Sequence, residues 1–266
     1  MMRWNNVQCD AATWLAAGQL ALKESPQYSN HKQFEKRTGN YRLTNLAGEA
    51  TVGETNNLRK RAKRLLKAEI AEQQAGQSSP LIQVAYTDFG RKELEECTPT
   101  LNQLAQVEGV TWQDLQAQGS ALLSQAFEQL EYIRPREWMA RQAEATPGVY
   151  MVFKQHDLLY IDESENVLNS LNLHSSNTPQ SNLRQAIASY ELGLELKTAA
   201  EVTSSVSNSS PYERTHLSMN ENFAVNHYLQ GCFVVNLPVK LGRLELVEAL
   251  QTHYSPKLTI KHRTIT

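Results

Sequence analysis

The sequence predicts an α/β protein made of two small domains, each a short, mostly antiparallel sheet flanked by helices, joined by a helical linker. Length is the first reason, because 266 residues suit two domains of ordinary size. The second reason is local pattern: short apolar runs typical of strands are followed by stretches with helical spacing. The third reason is that one set of short motifs occurs twice in the same order, which indicates an internal repeat.

The composition is that of a soluble globular protein, with 41% hydrophobic and 20% charged residues. No apolar run approaches the roughly 18 residues that would suggest a membrane span, and the first residues lack the apolar stretch of a signal peptide. Cys9, Cys97 and Cys232 are scattered singly, so we expect reduced thiols. These features predict a cytoplasmic protein with no membrane partner.

The net charge of −2 argues against strong nonspecific binding to nucleic acid, for which a basic excess is usual. A local basic face could still bind a phosphate backbone. The distribution of charge along the chain therefore matters more than its sum.

The clearer copy of the repeated pattern begins with Gly148-Val149-Tyr150. Ten residues after the tyrosine comes Tyr160-Ile161-Asp162, and a polar tetrad at 154–157 separates the two apolar runs. This arrangement predicts a β-hairpin. The spacing of Val167, Leu168 and Leu171 then predicts an amphipathic helix directly after the hairpin.

The upstream copy begins with Gly39-Asn40-Tyr41, and ten residues after its tyrosine comes Thr51-Val52-Gly53. The intervening Asn45–Gly48 segment has good turn chemistry. A basic segment follows Gly53 and predicts a helix in the corresponding place.

Both copies also end alike. Gly90-Arg91-Lys92-Glu93-Leu94 corresponds to Gly242-Arg243-Leu244-Glu245-Leu246, and each is followed by a proline-led ending, Pro99–Asn102 in the first copy and Pro256–Thr259 in the second. Four landmarks in the same order make a duplication far better supported than chance.

A hairpin with two tyrosines that leads into a helix resembles the GIY-YIG nuclease superfamily. The resemblance implies phosphodiester hydrolysis by the two hairpin tyrosines, an arginine on the next helix and a glutamate on a later helix that holds one divalent ion, typically Mg²⁺. A histidine or tyrosine one turn after the arginine often assists, and an asparagine near the domain end supports the site.

Carried onto the first copy, the resemblance implies a site made of Tyr41, Arg61, Glu95 and Asn102, with Glu95 as the metal ligand. Thr51 stands where the second tyrosine is expected. The assignment of Glu95 also requires a deletion of about five residues before Pro99, relative to the second copy. Weak or specialised cleavage is therefore the expectation for this copy.

In the second copy Tyr150, Tyr160 and His174 match the pattern, but Ser170 replaces the arginine and Val247 the glutamate. Serine supplies no guanidinium and valine cannot bind a hard cation. The resemblance therefore implies that this copy is inactive as a metal nuclease.

Each of these residues also has an ordinary structural interpretation. For Tyr150 and Tyr160 that interpretation is an aromatic residue of the hairpin or the core. For Arg61 and Glu95 it is a solvated charge on a helix, and for His174 it is a polar surface residue. Both interpretations stay open at the level of sequence.

The helix after Gly53 carries the only strongly basic block of the sequence, formed by Arg59, Lys60, Arg61, Lys63, Arg64 and Lys67. An apolar stripe on the same segment predicts that one face packs inward. The cations suit either a solvated face or a surface that contacts phosphates, with Arg59, Lys60, Lys63, Arg64 and Lys67 as nucleic-acid-binding residues.

The predicted domain organisation has four parts. They are an N-terminal helical appendage at 1–30, a first GIY-YIG-like domain at 31–102, a helical linker at 103–146 and a second, degenerate domain at 147–266. Further predicted helices lie at 10–23, 111–133, 181–192, 220–229 and 244–253, with a short one through Trp138 and Met139. Additional strands are predicted at 81–86 and 232–236, and a flexible loop at 203–211.

Three functions are compatible with the sequence. The first is a Mg²⁺-dependent endonuclease with cleavage confined to the first copy, acting on nucleic acid, with DNA as the expected form. The second is an inactive descendant that binds nucleic acid through the basic helix. The third is a protein-interaction scaffold, although the sequence gives no clue to a protein partner.

Overall fold

The computed structural model describes residues 3–72, 79–97, 112–140, 143–178, 181–194 and 217–258. Within these ranges the chain forms helices and two antiparallel sheets, which confirms the α/β prediction. The chain divides into two compact units, Met1–Glu128 with Lys240–Leu246, and Gln129–Val239 with Val247–Thr266. These units differ from the sequence-derived division, because the first unit includes the N-terminal segment and part of the predicted linker.

Two helices open the first unit, α1 (Trp4–Cys9) and α2 (Ala11–Glu24). Asp10 directly precedes α2, and its side chain makes no capping hydrogen bond. Trp4 and Trp14 are both buried and contact Phe89 edge to face, with ring centroids 6.3 Å and 6.0 Å away. The N-terminal helices are therefore part of the core of this unit.

The first sheet contains β1 (Gly39–Thr44), β2 (Ala50–Thr55) and β3 (Leu81–Ala85), in the antiparallel order β2-β1-β3. Helix α3 (Leu58–Glu72) follows the hairpin, and α4 (Arg91–Glu96) follows β3. The apolar face of α3 packs on the sheet, as its stripe predicts. The buried residues of this core are Phe34, Leu43, Leu58, Ala62, Leu66, Ile82 and Val84.

The predicted helix at 111–133 is wrong as a single element. The structure has α5 (Trp112–Gln116) and α6 (Gly119–Tyr132), separated by a turn. Glycine at 119 lowers helix propensity at the junction. It also fits closely against Phe89, because a Cβ there would lie 2.9 Å from the Phe89 Cβ.

The second unit contains a four-stranded antiparallel sheet in the order β4-β7-β5-β6. Its strands are β4 (Arg136–Glu137), β5 (Gly148–Lys154), β6 (Asp157–Ser164) and β7 (Cys232–Pro238). Strand β4 was not predicted. The segment after it is a 3-10 turn at Trp138–Ala140 rather than an α-helix, and Trp138 is buried in the core.

Four helices complete the chain, α7 (Val167–Ser175), α8 (Asn182–Ala186), α9 (Met219–Gln230) and α10 (Arg243–Tyr254). The predicted helix at 181–192 is found, but its second half, Ile187–Glu191, is π-helical. The first turn of α10 belongs to the first unit and the rest to the second. Among the described residues, none of the helices has the length and apolar character required to cross a membrane.

The core of both sheets follows the same path: a hairpin, a helix, and a third strand that returns antiparallel to the first. Gly39 and Gly148 open the two hairpins and are constrained alike. A Cβ would lie 2.4 Å from the Ala85 carbonyl oxygen at Gly39 and 2.6 Å from the Leu237 carbonyl oxygen at Gly148. The glycines at these positions are therefore explained by the close approach of the third strand.

The likeness also extends to the preceding helices. Helices α5 and α6 begin 108 positions after α1 and α2, and α6 has the same 14-residue length as α2. The bridge between Tyr28 and Ile82 likewise corresponds to the pairing of Arg136 with Val234. The predicted appendage and the predicted linker thus hold corresponding places ahead of the two sheets along the chain.

Candidate functional site

Tyr41 lies in the middle of β1, directly opposite Gly53 on β2. Its half-buried side chain extends across that glycine, so that a Cβ at position 53 would be 2.3 Å from the Tyr41 Oη. The glycine predicted to end the second triplet therefore creates the space in which the phenol lies.

Arg61 is brought to Tyr41 by the way in which the chain turns from β2 into α3. The Thr55 Oγ1 accepts a hydrogen bond from the Asn57 N–H, and the Asn57 Oδ1 accepts one from the Lys60 N–H, which caps the helix. Arg61 follows in the first turn, with its guanidinium carbon 5.8 Å from the centre of the Tyr41 ring. That distance is typical of a cation–π contact.

Glu95 lies on α4 and joins the same neighbourhood. Burial raises the pKa of the Tyr41 phenol, Arg61 lowers it, and Glu95 raises it. Arg61 and Glu95 thus both act electrostatically on the Tyr41 phenol. Because the net effect is a raised pKa, the phenol is neutral at neutral pH.

The Glu95 carboxylate remains accessible. Its side chain is 33% exposed and its Oε2 lies 3.4 Å from the Lys92 Nζ. Mg²⁺ is usually held in proteins by one or two carboxylates and several waters. Glu95 fits such a one-carboxylate site, while no group of three or more His, Cys, Asp or Glu ligands occurs in the described part of the chain.

Two further charged residues that act on Tyr41 were not predicted as catalytic, although Arg64 was predicted to bind nucleic acid. Arg64 lowers the pKa of the Tyr41 phenol and Glu54 raises it, both more weakly than the groups above. Arg64 is three positions after Arg61 on α3, so helical spacing could have identified it. Spacing did not indicate Glu54, because it directly follows Gly53 on a strand in which successive side chains point to opposite faces.

The basic residues of α3 do not all act alike. The exposed cations Lys60, Lys63, Arg64 and Lys67 share one helix face by their spacing, and none of them forms an ion pair with another described residue. We call these four residues the basic face. Arg59 differs, because its Nε donates to the Phe34 carbonyl oxygen at 2.5 Å. It thus supports the segment before β1, and its predicted role in nucleic-acid binding has no comparable support.

The second hairpin also brings its predicted residues together. The Tyr150 Oη lies 2.8 Å from the His174 Nε2, and the His174 Nδ1 lies 2.7 Å from the Ser181 Oγ. The Tyr160 Oη donates to the Asp162 Oδ2 at 2.5 Å. Tyr150, Tyr160 and His174 are only 1%, 3% and 4% exposed, so this cluster lies in the core rather than in an open site.

This buried cluster lacks the arginine and the glutamate that the resemblance implies. The pKa values of Tyr150 and Tyr160 lie well above the usual tyrosine value, first because both phenols are buried and second because Asp162 is negatively charged. Both phenols are therefore neutral. Ser170, at the expected arginine position, donates to the Ser164 Oγ, and Val247 is fully buried.

Arg184, a buried cation beside this cluster, belongs to the internal hydrogen-bond network of the second unit. Arg184, which is 1% exposed, donates to the His174 carbonyl oxygen at 3.1 Å and to the Asn226 Oδ1 at 2.6 Å. It therefore ties α8 to α7 and α9.

Of the predicted site residues, Asn102 lies outside the described residues, as do Thr111, the proline-led ending of the first copy and the predicted loop at 203–211. The other predicted residues form two clusters, one open and charged around Tyr41 and one closed around Tyr150. No family model, curated protein or solved structure matches this chain.

Proposed function

We propose that the first unit is a Mg²⁺-dependent endonuclease of the GIY-YIG type that hydrolyses phosphodiesters in DNA, and that the second cluster is catalytically inactive. The observation that carries the proposal is the grouping of Tyr41, Arg61 and Glu95 in a partly exposed place. This grouping combines a phenol, a guanidinium and a carboxylate.

Each group suits one requirement of phosphodiester hydrolysis. Arg61 is placed to stabilise the negative charge that develops on the phosphorus oxygens. Tyr41, as a neutral phenol, would take up a proton of the attacking water while it gives its own proton to solvent. Glu95 would hold Mg²⁺, which when bound supplies Lewis-acid stabilisation of the phosphate.

The basic face supports a nucleic acid as the substrate. Lys60, Lys63, Arg64 and Lys67 add positive charge along the helix that carries Arg61, in a protein whose net charge is −2. Phosphate contacts of this kind position a duplex without reading its sequence. The basic face would therefore place a backbone phosphate beside Arg61.

The decisive test is cleavage of supercoiled plasmid with and without Mg²⁺. We expect Arg61→Ala and Glu95→Ala each to lower the rate by about 10²–10³-fold. Arg42→Ala is the matched control, because Arg42 is on the same strand as Tyr41 but pairs with Gln83. Full activity in Arg61→Ala or Glu95→Ala would contradict the proposed site.

A second candidate is DNA binding without cleavage. It is favoured by the 3.4 Å approach of the Lys92 Nζ to Glu95 and by Thr51 at the place of the second tyrosine. Fluorescence anisotropy across a salt series distinguishes the two functions. Binding that weakens on charge reversal at Lys60, Lys63 and Arg64, with no cleavage, would favour the second candidate, whereas no binding at ~50 mM salt would favour the interaction scaffold.

A further inference from the structure

The first unit contains two ion pairs that mirror each other. The Glu93 carboxylate accepts hydrogen bonds from the Gly242 N–H at 3.1 Å, the Arg243 N–H at 3.0 Å and the Arg243 Nε at 2.9 Å. The Glu245 carboxylate accepts them from the Gly90 N–H at 3.0 Å, the Arg91 N–H at 3.2 Å and the Arg91 Nε at 2.8 Å. Each Gly-Arg-x-Glu motif thus uses its glutamate to bind the glycine and arginine of the other.

Two glutamines repeat the exchange. The Gln8 Oε1 accepts from the Lys240 and Leu241 N–H groups at 2.5 Å and 3.0 Å, while its Nε2 donates to the Leu241 carbonyl oxygen. The Gln116 Oε1 accepts from the Asp88 and Phe89 N–H groups at 2.6 Å and 2.7 Å, while its Nε2 donates to the Phe89 carbonyl oxygen. Gln8 and Gln116 are themselves 108 positions apart, like the helices that carry them.

The two turns are also alike in backbone and packing. Gly90 and Gly242 have φ values of +87° and +86°, which glycine adopts without strain. A Cβ at Gly90 would meet the Leu241 Cδ1 at 2.9 Å, and one at Gly242 would meet the Phe89 Cε2 at 2.3 Å. The large residue before each glycine therefore packs against the glycine of the other turn.

Reciprocity of this kind is the signature of two-fold symmetry. In an isologous interface, residue i of one copy contacts residue j of the other, and j contacts i in return. Three independent sets of contacts obey that rule here: the ion pairs, the glutamine bridges and the glycine packing. A protein without an internal repeat is not expected to contain two matched sets of contacts of this kind.

We propose that this chain is the fused counterpart of a symmetric dimer of identical nuclease modules in which one of two equivalent sites has been lost, so that it nicks one strand of a DNA duplex. The inference rests on the proposed function. It goes beyond that function by specifying that one strand of the duplex is cut in one encounter.

The difference between the Tyr41 cluster and the Tyr150 cluster is the reason to expect that one strand is cut. A symmetric dimer of nucleases offers one site to each strand of the duplex. Here the Tyr41 cluster combines Arg61 with the partly exposed carboxylate of Glu95, whereas the Tyr150 cluster is buried and has Ser170 and Val247 at the corresponding positions.

The reaction at the remaining site is one hydrolysis. Water forms a bond to phosphorus, one ester P–O bond breaks, and the leaving oxygen takes up a proton, which ends with a single interrupted strand. The opposite strand meets no equivalent group, so its phosphodiesters stay intact.

The experiment follows supercoiled plasmid over time at enzyme excess with Mg²⁺, and separates open circles from linear DNA. We expect open circles to form first and to account for nearly all early product, with linear DNA only after a lag caused by independent nicks. In a duplex oligonucleotide labelled on both strands, each molecule should be cut in one strand, so that only one of its two labelled strands is shortened. Lowering the protein concentration should lengthen the lag before linear DNA appears, while open circles remain the first product.

Linear DNA formed from the start at a rate comparable to nicking would overturn the inference while leaving the endonuclease function intact. Cleavage of both labelled strands in the same molecule would do the same. An absence of any Mg²⁺-dependent cleavage would overturn the inference together with the function on which it rests. The outcomes therefore separate the two ideas.

Discussion

The two tyrosine-bearing hairpins share a register but differ in what surrounds the first tyrosine. Tyr41 is paired across the strands with Gly53, and Tyr150 is paired with Asp162. Tyr41 is half-buried beside Arg61, whereas Tyr150 is 1% exposed and hydrogen-bonded to His174. The same backbone thus supports an open charged site in one case and a closed polar core in the other.

The Gly-Arg-x-Glu turns behave in the opposite way. Their hydrogen bonds to Glu93 and Glu245 correspond atom by atom and agree within a few tenths of an ångström. The two Gly-Arg-x-Glu turns therefore agree closely in their contacts, whereas the surroundings of the two tyrosines differ. Packing restricts the turns, while the residues around each tyrosine are free to change.

The largest expected effect concerns these turns. Glu93→Gln and Glu245→Gln each remove the buried carboxylate that pairs with a buried arginine, and leave Arg243 with Glu96 and Arg91 with Glu54, both less buried. Each variant should therefore lower the free energy of unfolding by about 3 kcal/mol. Urea denaturation measures both, and the exposed Glu165→Gln should change stability by less than ~0.5 kcal/mol. A large loss in only one of the two variants would break the equivalence of the turns.

The next effect tests why the Tyr41 site is open. Gly53→Asp introduces the residue found at the corresponding position of the second hairpin, where a Cβ would lie 2.3 Å from the Tyr41 Oη. The phenol must move, and a displacement of about 1 Å is enough to lower cleavage by ~10²-fold. The rate of plasmid nicking measures this, with circular dichroism to confirm folding.

The matched control for that variant is Ala50→Asp, an exposed position on the same strand. It should nick plasmid at the rate of the unaltered protein. If Gly53→Asp were equally active, the position of the Tyr41 ring would not matter and the contrast between the two hairpins would lose its meaning.

A smaller effect concerns the phenol hydroxyls. Tyr150→Phe leaves the buried His174 Nε2 without this partner and should cost about 1–3 kcal/mol of stability. Tyr41→Phe removes a hydroxyl from a half-buried ring and should cost less than ~0.5 kcal/mol, while it slows cleavage. Equilibrium unfolding of both variants gives the comparison, and equal stability losses would contradict the assignment of one cluster to the core and the other to a site.

Local pattern was enough to predict the hairpins and most helices, because Gly39 and Gly148, the apolar alternation and the helical spacing all act within a few residues. It also grouped Tyr41, Arg61 and Glu95, since the resemblance fixes an order of motifs along the chain. The break before Gly119 was missed because the helical spacing of the apolar residues Leu115, Leu122 and Leu123 continues across the turn at 117–118.

The burial of individual side chains and the reciprocal hydrogen bonds between distant residues could not be predicted in the same way. His174 is buried because Ser181 and the following helix cover it, and those residues belong to an insertion with no counterpart in the first copy. The reciprocal pairing of Glu93 with Arg243 joins residues 150 positions apart. Charge runs gave no hint that Arg59 binds backbone carbonyls while its neighbours remain free of ion pairs among the described residues.

The smallest effect tests whether the core around Tyr150 is closed. Cys232 lies in that core, and burial raises the pKa of its thiol to about 11. The raised value means that the reactive thiolate is scarce below pH 11, so at pH 8 about one thiol in 1,000 is ionised. Iodoacetamide should therefore label the exposed Cys9 rapidly and Cys232 only after unfolding in urea, with Cys9→Ser to separate the two signals by mass spectrometry. Fast labelling of Cys232 in the folded protein would show that solvent reaches the second cluster, and the contrast between an open and a closed tyrosine site would then fail.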